Sequence, residues 1–166
     1  MRTIASKHVF VLAGMLAVSG STSPAQLSLE KVRDTSTDSR LTRLERFFGE
    51  RNCPVRSLAS EFLIAADKND LDWRLLPSIS LIESGGGKAY RNNNVFGWAA
   101  CNQRFASIEA GIHEVASRIA TSKLYRNKSV DAILATYNPR PDYPSRVKAV
   151  MRQIGPAEAG STAALN

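Results

Sequence analysis

Residues 80–87 read Ser80-Leu81-Ile82-Glu83-Ser84-Gly85-Gly86-Gly87. An apolar run closes on a single carboxylate, and three glycines follow at once. On a helical wheel Glu83 lies one turn beyond Ile79 and two turns beyond Leu75, so it shares their apolar face. A carboxyl group held against apolar neighbours is poorly solvated when charged, which is the environment a general acid needs near neutral pH. Ser84 is placed to hydrogen-bond that carboxyl or a ligand. Gly85 can adopt the left-handed conformation that ends a helix. Gly86 and Gly87 are expected to leave room for a ligand against the backbone. The plain alternative is an ordinary terminal acid followed by a flexible loop.

The pattern around this stretch is helical. Leu58, Phe62 and Ala65/Ala66 recur at helical spacing and predict a helix over about 55–68. Asp70 or Asp72 can cap the next helix, whose buried face is Leu75, Leu76, Ile79 and Ile82; Pro77 either starts that helix or kinks it. Ser107 is an N-cap for a helix carrying Ile108, Ile112, Val115 and Ile119 on one face. Val130 to Tyr137 predicts a shorter helix, and Val147, Val150, Met151 and Ile154 a last one. Residues 85–106, rich in Gly and Asn, read as a loop with a small hairpin. The expected class is α+β, predominantly α, with a loop/hairpin lobe inserted after the helix that ends at Glu83.

The chain has 166 residues and a formal charge of +7. Residues 1–25 read as a signal peptide: Arg2, Lys7 and His8 precede the apolar run Val9 to Val18, and Ser23-Pro24-Ala25 suits cleavage before Gln26. An uncleaved anchor is the alternative, although the run is short for a membrane span. Residues 26–40 read as a linker, 41–154 as one domain and 155–166 as a flexible tail. Beyond the leader, twenty basic residues face fifteen acidic ones, a net +5 that favours anionic polymers. Export points away from nucleic acid and towards the periplasm, the cell envelope or the extracellular space. After cleavage no stable membrane insertion is expected, and a monomer is expected. In an exported chain Cys53 and Cys101 are candidates for a disulfide, worth roughly 4 kcal/mol in the chain-entropy account; two buried free thiols are the alternative.

Two further stretches supply candidate walls for a site. Tyr90-Arg91-Asn92-Asn93-Asn94-Val95-Phe96-Gly97-Trp98 mixes amides, a guanidinium and aromatic rings, groups that bind hydroxyls and acetamido groups or stack on a sugar face. Tyr90, Asn93, Asn94, Phe96 and Trp98 are its candidate binding residues; Phe96 also reads as core. Thr136-Tyr137-Asn138-Pro139-Arg140-Pro141-Asp142-Tyr143-Pro144 is a stiff aromatic loop contributing Tyr137, Asn138 and Tyr143.

The ordered set Leu81-Ile82-Glu83-Ser84-Gly85, Asn93-Asn94-Val95-Phe96-Gly97-Trp98, Phe105-Ala106-Ser107 with Glu109 and Gly111-Ile112, and Tyr137 with Tyr143 and Val147 resembles the glucosaminidase family. This is the mannosyl-glycoprotein endo-β-N-acetylglucosaminidase-like group of the lysozyme superfamily, and the resemblance spans roughly 55–154. It implies a small lysozyme-like domain that cleaves the glycan strands of peptidoglycan, with Glu83 as general acid and Tyr137 as the cleft tyrosine. The family's "YATDP"-type motif reads Tyr137-Asn138-Pro139 here and has lost its acid. Thr136-Tyr137-Asn138 is similar to the "AYN" of the related lytic transglycosylases.

A two-carboxylate glycosidase needs a second acid. From Ser84 through Ile108 the chain has no Asp or Glu. Glu109, Glu114 and Asp131 read as solvated helix charges, and Asp142 is the candidate second acid or else a cap of the last helix. Two mechanisms need only one acid. In substrate-assisted hydrolysis the sugar's N-acetyl group helps; in lytic transglycosylation its 6-hydroxyl closes a 1,6-anhydro ring. A non-catalytic glycan-binding protein is the remaining alternative. No cofactor or metal is expected: His8 lies in the leader, His113 reads as structural, and no HExxH, CxxC or G-x-S-x-G pattern occurs.

Overall fold

A computed structural model describes residues 38–157. The expected leader, the linker up to residue 37 and the tail from residue 158 lie outside them. Among the described residues there are six α-helices: α1 Ser39–Glu50, α2 Ala59–Lys68, α3 Leu75–Ser84, α4 Ile108–Thr121, α5 Val130–Tyr137 and α6 Tyr143–Ile154. A 3-10 turn, Pro54–Leu58, joins α1 to α2. The lobe between α3 and α4 holds one isolated bridge, Arg91 with Asn94, and no strand is present among the described residues. The expected predominance of helix holds among the described residues, and the expected hairpin is reduced to this single bridge. The lobe closes by turns, with Asn92 and Asn93 in the left-handed region (φ 58° and 56°), a conformation that interrupts any extended ladder.

Helix α1 begins inside the segment expected to be linker. Asp38 accepts from the Arg40 amide at 2.8 Å and so caps its first turn. The Arg40 guanidinium then bridges Asp38 and Asp67, at 2.6 and 2.7 Å, tying the start of α1 to the end of α2. Those hydrogen bonds from Arg40 hold the Asp38 carboxyl below its usual range. Pro77 sits in the first turn of α3, where its missing N–H has no intrahelical partner to lose. Ser107 caps α4 as expected, accepting from the Ala110 amide at 3.0 Å.

Helix α2 packs on α4, and α3 packs on α6. Between them runs a ladder of rings: Phe47 to Phe48 at 5.7 Å, Phe48 to Phe62 at 5.6 Å, and Phe62 to Phe96 at 6.2 Å. Phe48, Phe62 and Phe96 are fully buried, so the ladder carries the lobe's Phe96 into the helical core.

The glycines after Glu83 are filled space. Gly86 has φ +67°, and a Cβ there would lie 2.6 Å from the Cys53 sulfur; one on Gly87 would lie 2.9 Å from a Val55 methyl. The Gly86 carbonyl accepts from the Val55 amide at 3.2 Å. The expected room for a ligand is occupied by the 3-10 turn, and the glycines exist to let the end of α3 close on it.

The candidate disulfide is not formed, and both cysteines are free. Cys53 is buried under Gly86, where burial pushes its thiol up. Cys101 is half-buried in the turn after Trp98, near enough to Tyr137 to bear on its phenol. Each sulfur is thus committed to a different part of the fold. Thiol titration of denatured, unreduced protein should find both of the chain's two cysteines reactive; a single blocked pair would contradict this arrangement.

Gly86→Ala should cost about 2–4 kcal/mol in urea unfolding, from left-handed strain plus overpacking. Gly85→Ala, whose Cβ would meet only Lys88 at an ordinary 3.5 Å, should cost about 1–2 kcal/mol from strain alone. Equal costs would show that the contact with Cys53 is immaterial.

Candidate active site

Glu83 stands in the last turn of α3, half-buried. Its Oε1 accepts a hydrogen bond from the Tyr143 hydroxyl at 2.7 Å, and Oε2 has no protein hydrogen-bond partner among the described residues. Helix α6 begins at Tyr143, so its packing on α3 delivers this donor. The Tyr143 ring is buried and lies parallel to the Tyr137 ring, with centroids 6.1 Å apart and planes 4° apart. Tyr137, the last residue of α5, donates its hydroxyl to the Phe96 carbonyl at 2.5 Å. Across Tyr137 the Trp98 ring stands edge-on at 5.5 Å, and Tyr125 follows at 5.7 Å from Trp98. The Arg118 guanidinium lies 6.0 Å from the Trp98 ring centre.

The lobe is shaped to reach Glu83. Gly97 has φ +65°, and a Cβ there would stand 2.8 Å from Glu83 Oε2. Only glycine lets the backbone pass so close to the carboxylate without displacing it. The buried Asn94 fixes this passage: its Oδ1 accepts from the Trp98 amide at 3.0 Å, and its Nδ2 donates to the Trp98 and Gln103 carbonyls at 2.9 and 3.2 Å.

The structure thus brings Glu83, Tyr137, Tyr143 and Trp98 into one cluster. It gives other work to most of the remaining expected residues. Ser84 is buried, donating to the Ser80 carbonyl at 2.9 Å and accepting from the Gly87 amide at 3.0 Å, so neither Glu83 nor a ligand has use of it. Asn94 is committed as just described. Asn93 donates to the Phe105 and Ala106 carbonyls, at 3.0 and 3.2 Å, and clasps the lobe. Phe96 has its ring in the core and contributes only its carbonyl. Asn138 accepts from the Arg140 amide at 3.1 Å and closes the turn after α5. Tyr90 is exposed.

Asp142, the candidate second acid, is exposed and paired with Arg140 at 3.2 Å and Arg146 at 3.7 Å. The Arg140 hydrogen bond holds its carboxyl below the usual range, the state of a surface ion-pair partner. Tyr125 and Arg118 escaped the sequence reading. Arg118 lies off the apolar face of the expected α4 and Tyr125 follows that helix without a local motif, so only the fold carries them to Trp98. A separate open cleft of about 390 Å³ lies beside α1, lined by Thr42, Glu45, Arg46, Gly49, Glu50 and Arg56. Its two carboxylates and two guanidinium groups balance, and no aromatic ring enters it.

Burial, reinforced by the Glu83 hydrogen bond, pushes the Tyr143 phenol far up. Burial, then Tyr143 and Glu83, does the same to Tyr137. Neither can serve as a phenolate nucleophile near neutral pH, and Glu83 is the carboxylate of the cluster.

Comparison with known protein families, curated proteins and solved structures finds no match to this chain.

The buried phenols predict an alkaline weakness. Their folded-state pKa values are raised, so their contribution to stability is complete below pH ~10 and is lost as pH rises past that value, where the unfolded chain ionises first. The urea midpoint should begin to fall above pH ~8.5, where the unfolded Cys53 thiol ionises, and steepen above ~10, by up to ~1.4 kcal/mol per pH unit for each phenol. Tyr137→Phe should make the decline shallower. An unchanged slope in that variant would remove Tyr137 from the account.

Proposed function

We propose that this protein is an exported glycosidase that cleaves β-1,4 bonds in peptidoglycan strands, by glucosaminidase-type hydrolysis with Glu83 as general acid. The observation that carries the reading is the placement of Glu83: a half-buried carboxylate, held by a phenol on one oxygen and without a protein hydrogen-bond partner among the described residues on the other, in one cluster with the rings of Tyr143, Tyr137 and Trp98. Rings in such a row bind the apolar faces of sugars, and a poised carboxyl beside them protonates a glycosidic oxygen. The resemblance of residues 55–154 to glucosaminidases and the leader-like residues 1–25 support the same reading. A lysozyme-like fold belongs to this proposal as well. The expected partners are glycan strands, and the expected location is the periplasm or the cell envelope.

A second reading, lytic transglycosylation, draws support from the pairing of Asp142 with two arginines. With that carboxylate engaged at the surface, Glu83 acts alone. In a one-acid cycle it protonates the leaving oxygen and then, as carboxylate, takes a proton from the attacking group. That group is water in hydrolysis assisted by the substrate's acetamido group. In transglycosylation it is the sugar's own 6-hydroxyl.

Digestion of purified peptidoglycan followed by mass spectrometry of the fragments tests both readings. Reducing N-acetylglucosamine ends are expected for hydrolysis, and 1,6-anhydro ends would transfer the assignment to transglycosylation. Glu83→Gln should lower the rate by about 10²–10⁴-fold while the fold persists. If the parent protein releases no fragment, and Glu83→Gln binds glycan as well as the parent does, the protein is a binder and the enzyme reading is lost.

A further inference from the structure

Tyr143 was expected to line the cleft as a substrate contact, but its surroundings suit another task. Its ring is only 1% exposed, so it offers little surface to a glycan. We propose that Tyr143 is a positioning residue that makes the two oxygens of Glu83 inequivalent, fixing Oε1 as the acceptor and leaving Oε2, beside Gly97, to carry and deliver the proton.

The argument starts from the donor. A phenol has one proton, and among the described residues Tyr143 directs it to Glu83 Oε1 at 2.7 Å. The ring cannot swing away. It is stacked on Tyr137 and anchored at the first residue of α6, with Pro144 stiffening the backbone behind it. Tyr137 is itself fixed by its bond to the Phe96 carbonyl. The donor is thus held at two removes by the helical core. The other ionisable groups bearing on the pair are Tyr137, Tyr125 and Arg146; the two phenols stay neutral near neutral pH, and Arg146 reaches towards Asp142. The hydrogen bond from Tyr143 is accordingly present in both protonation states of Glu83.

The acceptor side completes the asymmetry. In a neutral carboxylic acid the carbonyl oxygen is the better acceptor, so a permanent donor at Oε1 selects the form with its proton on Oε2. Oε2 lies against Gly97, where a Cβ would stand 2.8 Å away, so the missing side chain leaves that oxygen undisplaced, and among the described residues no protein donor bonds it. A fixed donor also supports the carboxylate that remains after proton transfer. As a catalytic role this rests on the glycosidase reading; as an account of where the proton sits it does not.

The test therefore has one arm that needs no activity. Infrared difference spectra of the parent minus Glu83→Gln, taken at acid pH with Glu83 protonated, isolate the C=O stretch of the Glu83 carboxylic acid. Repeating the subtraction in a Tyr143→Phe background should raise that frequency, because the carbonyl oxygen has lost its donor. In peptidoglycan turnover Tyr143→Phe should lower kcat by about 10–100-fold with KM unchanged. Should Tyr143→Phe fail to fold, the parent protein still decides: its buried hydroxyl should give a slowly exchanging, downfield proton resonance that Glu83→Ala abolishes. A band shift in protein that cleaves no glycan would uphold the proton placement and defeat the glycosidase reading. Cleavage with kcat and bands unchanged in Tyr143→Phe would overturn the positioning role and leave the glycosidase reading standing. Absence of the slow proton would also overturn it.

Discussion

The insertion of Phe96 into the helical core is the contact on which the site depends. Its ring closes the ladder that runs through Phe47, Phe48 and Phe62, and its carbonyl receives the Tyr137 hydroxyl. One residue therefore registers the lobe against α2 and α5 together. Burying such a ring is worth about 1.5–3 kcal/mol, and an aromatic pair adds about 0.5–1.5 kcal/mol. The clasp by the buried Asn94 makes any other lobe arrangement leave its polar atoms unsatisfied, at about 1–3 kcal/mol each. With the lobe so fixed, Gly97 meets Glu83 and Trp98 meets Tyr137 as consequences of packing.

The electrostatic character of the cluster follows from its composition. A lone carboxylate among phenols has donors nearby, and among the described residues no formal positive charge is bonded to it. Arg118, whose guanidinium lies 6.0 Å from the Trp98 ring centre, is paired with Glu114, and Arg146 is paired with Asp142. A cation bonded directly to Glu83 would favour the ionised form strongly and oppose proton donation. Here a phenol, a neutral donor, holds the group in place instead.

Much of the helical frame was legible in the sequence. The apolar spacing of Ile112, Val115 and Ile119 and the cap at Ser107 located α4, and Val130 to Tyr137 marked α5 at its observed bounds. Helix α1 was hidden because Ser- and Thr-rich sequence leads into it and charged residues crowd its exposed face. Its buried Leu44, Phe47 and Phe48 nonetheless keep helical spacing. The wheel put Glu83 on an inward face, and the structure places it beside Tyr143 and Gly97. The glycines misled because a missing side chain shows that something comes close, and here that something was Cys53. The asparagines misled for a related reason. An amide that can bind a sugar hydroxyl binds a backbone carbonyl equally well, and lobe closure claimed Asn93 and Asn94 first. Tyr125 reaches Trp98 only through the tertiary path of the chain, which no local pattern encodes.

The turn that carries Trp98 has a further consequence. Ala99, Ala100 and Cys101 follow one another in the left-handed region, at φ 52°, 53° and 63°, which costs a residue bearing a Cβ roughly 1–2 kcal/mol. The turn persists because side chains of the preceding segment hold its carbonyls: Arg91 bonds that of Ala100, Asn92 that of Cys101 and Asn94 that of Trp98. Strained backbone and restraining side chains form a matched set, so substitutions here are coupled in their effects. An asparagine that is indispensable beside alanine becomes dispensable once glycine relieves the turn, and the order in which changes accumulate decides which sequences this lobe can reach.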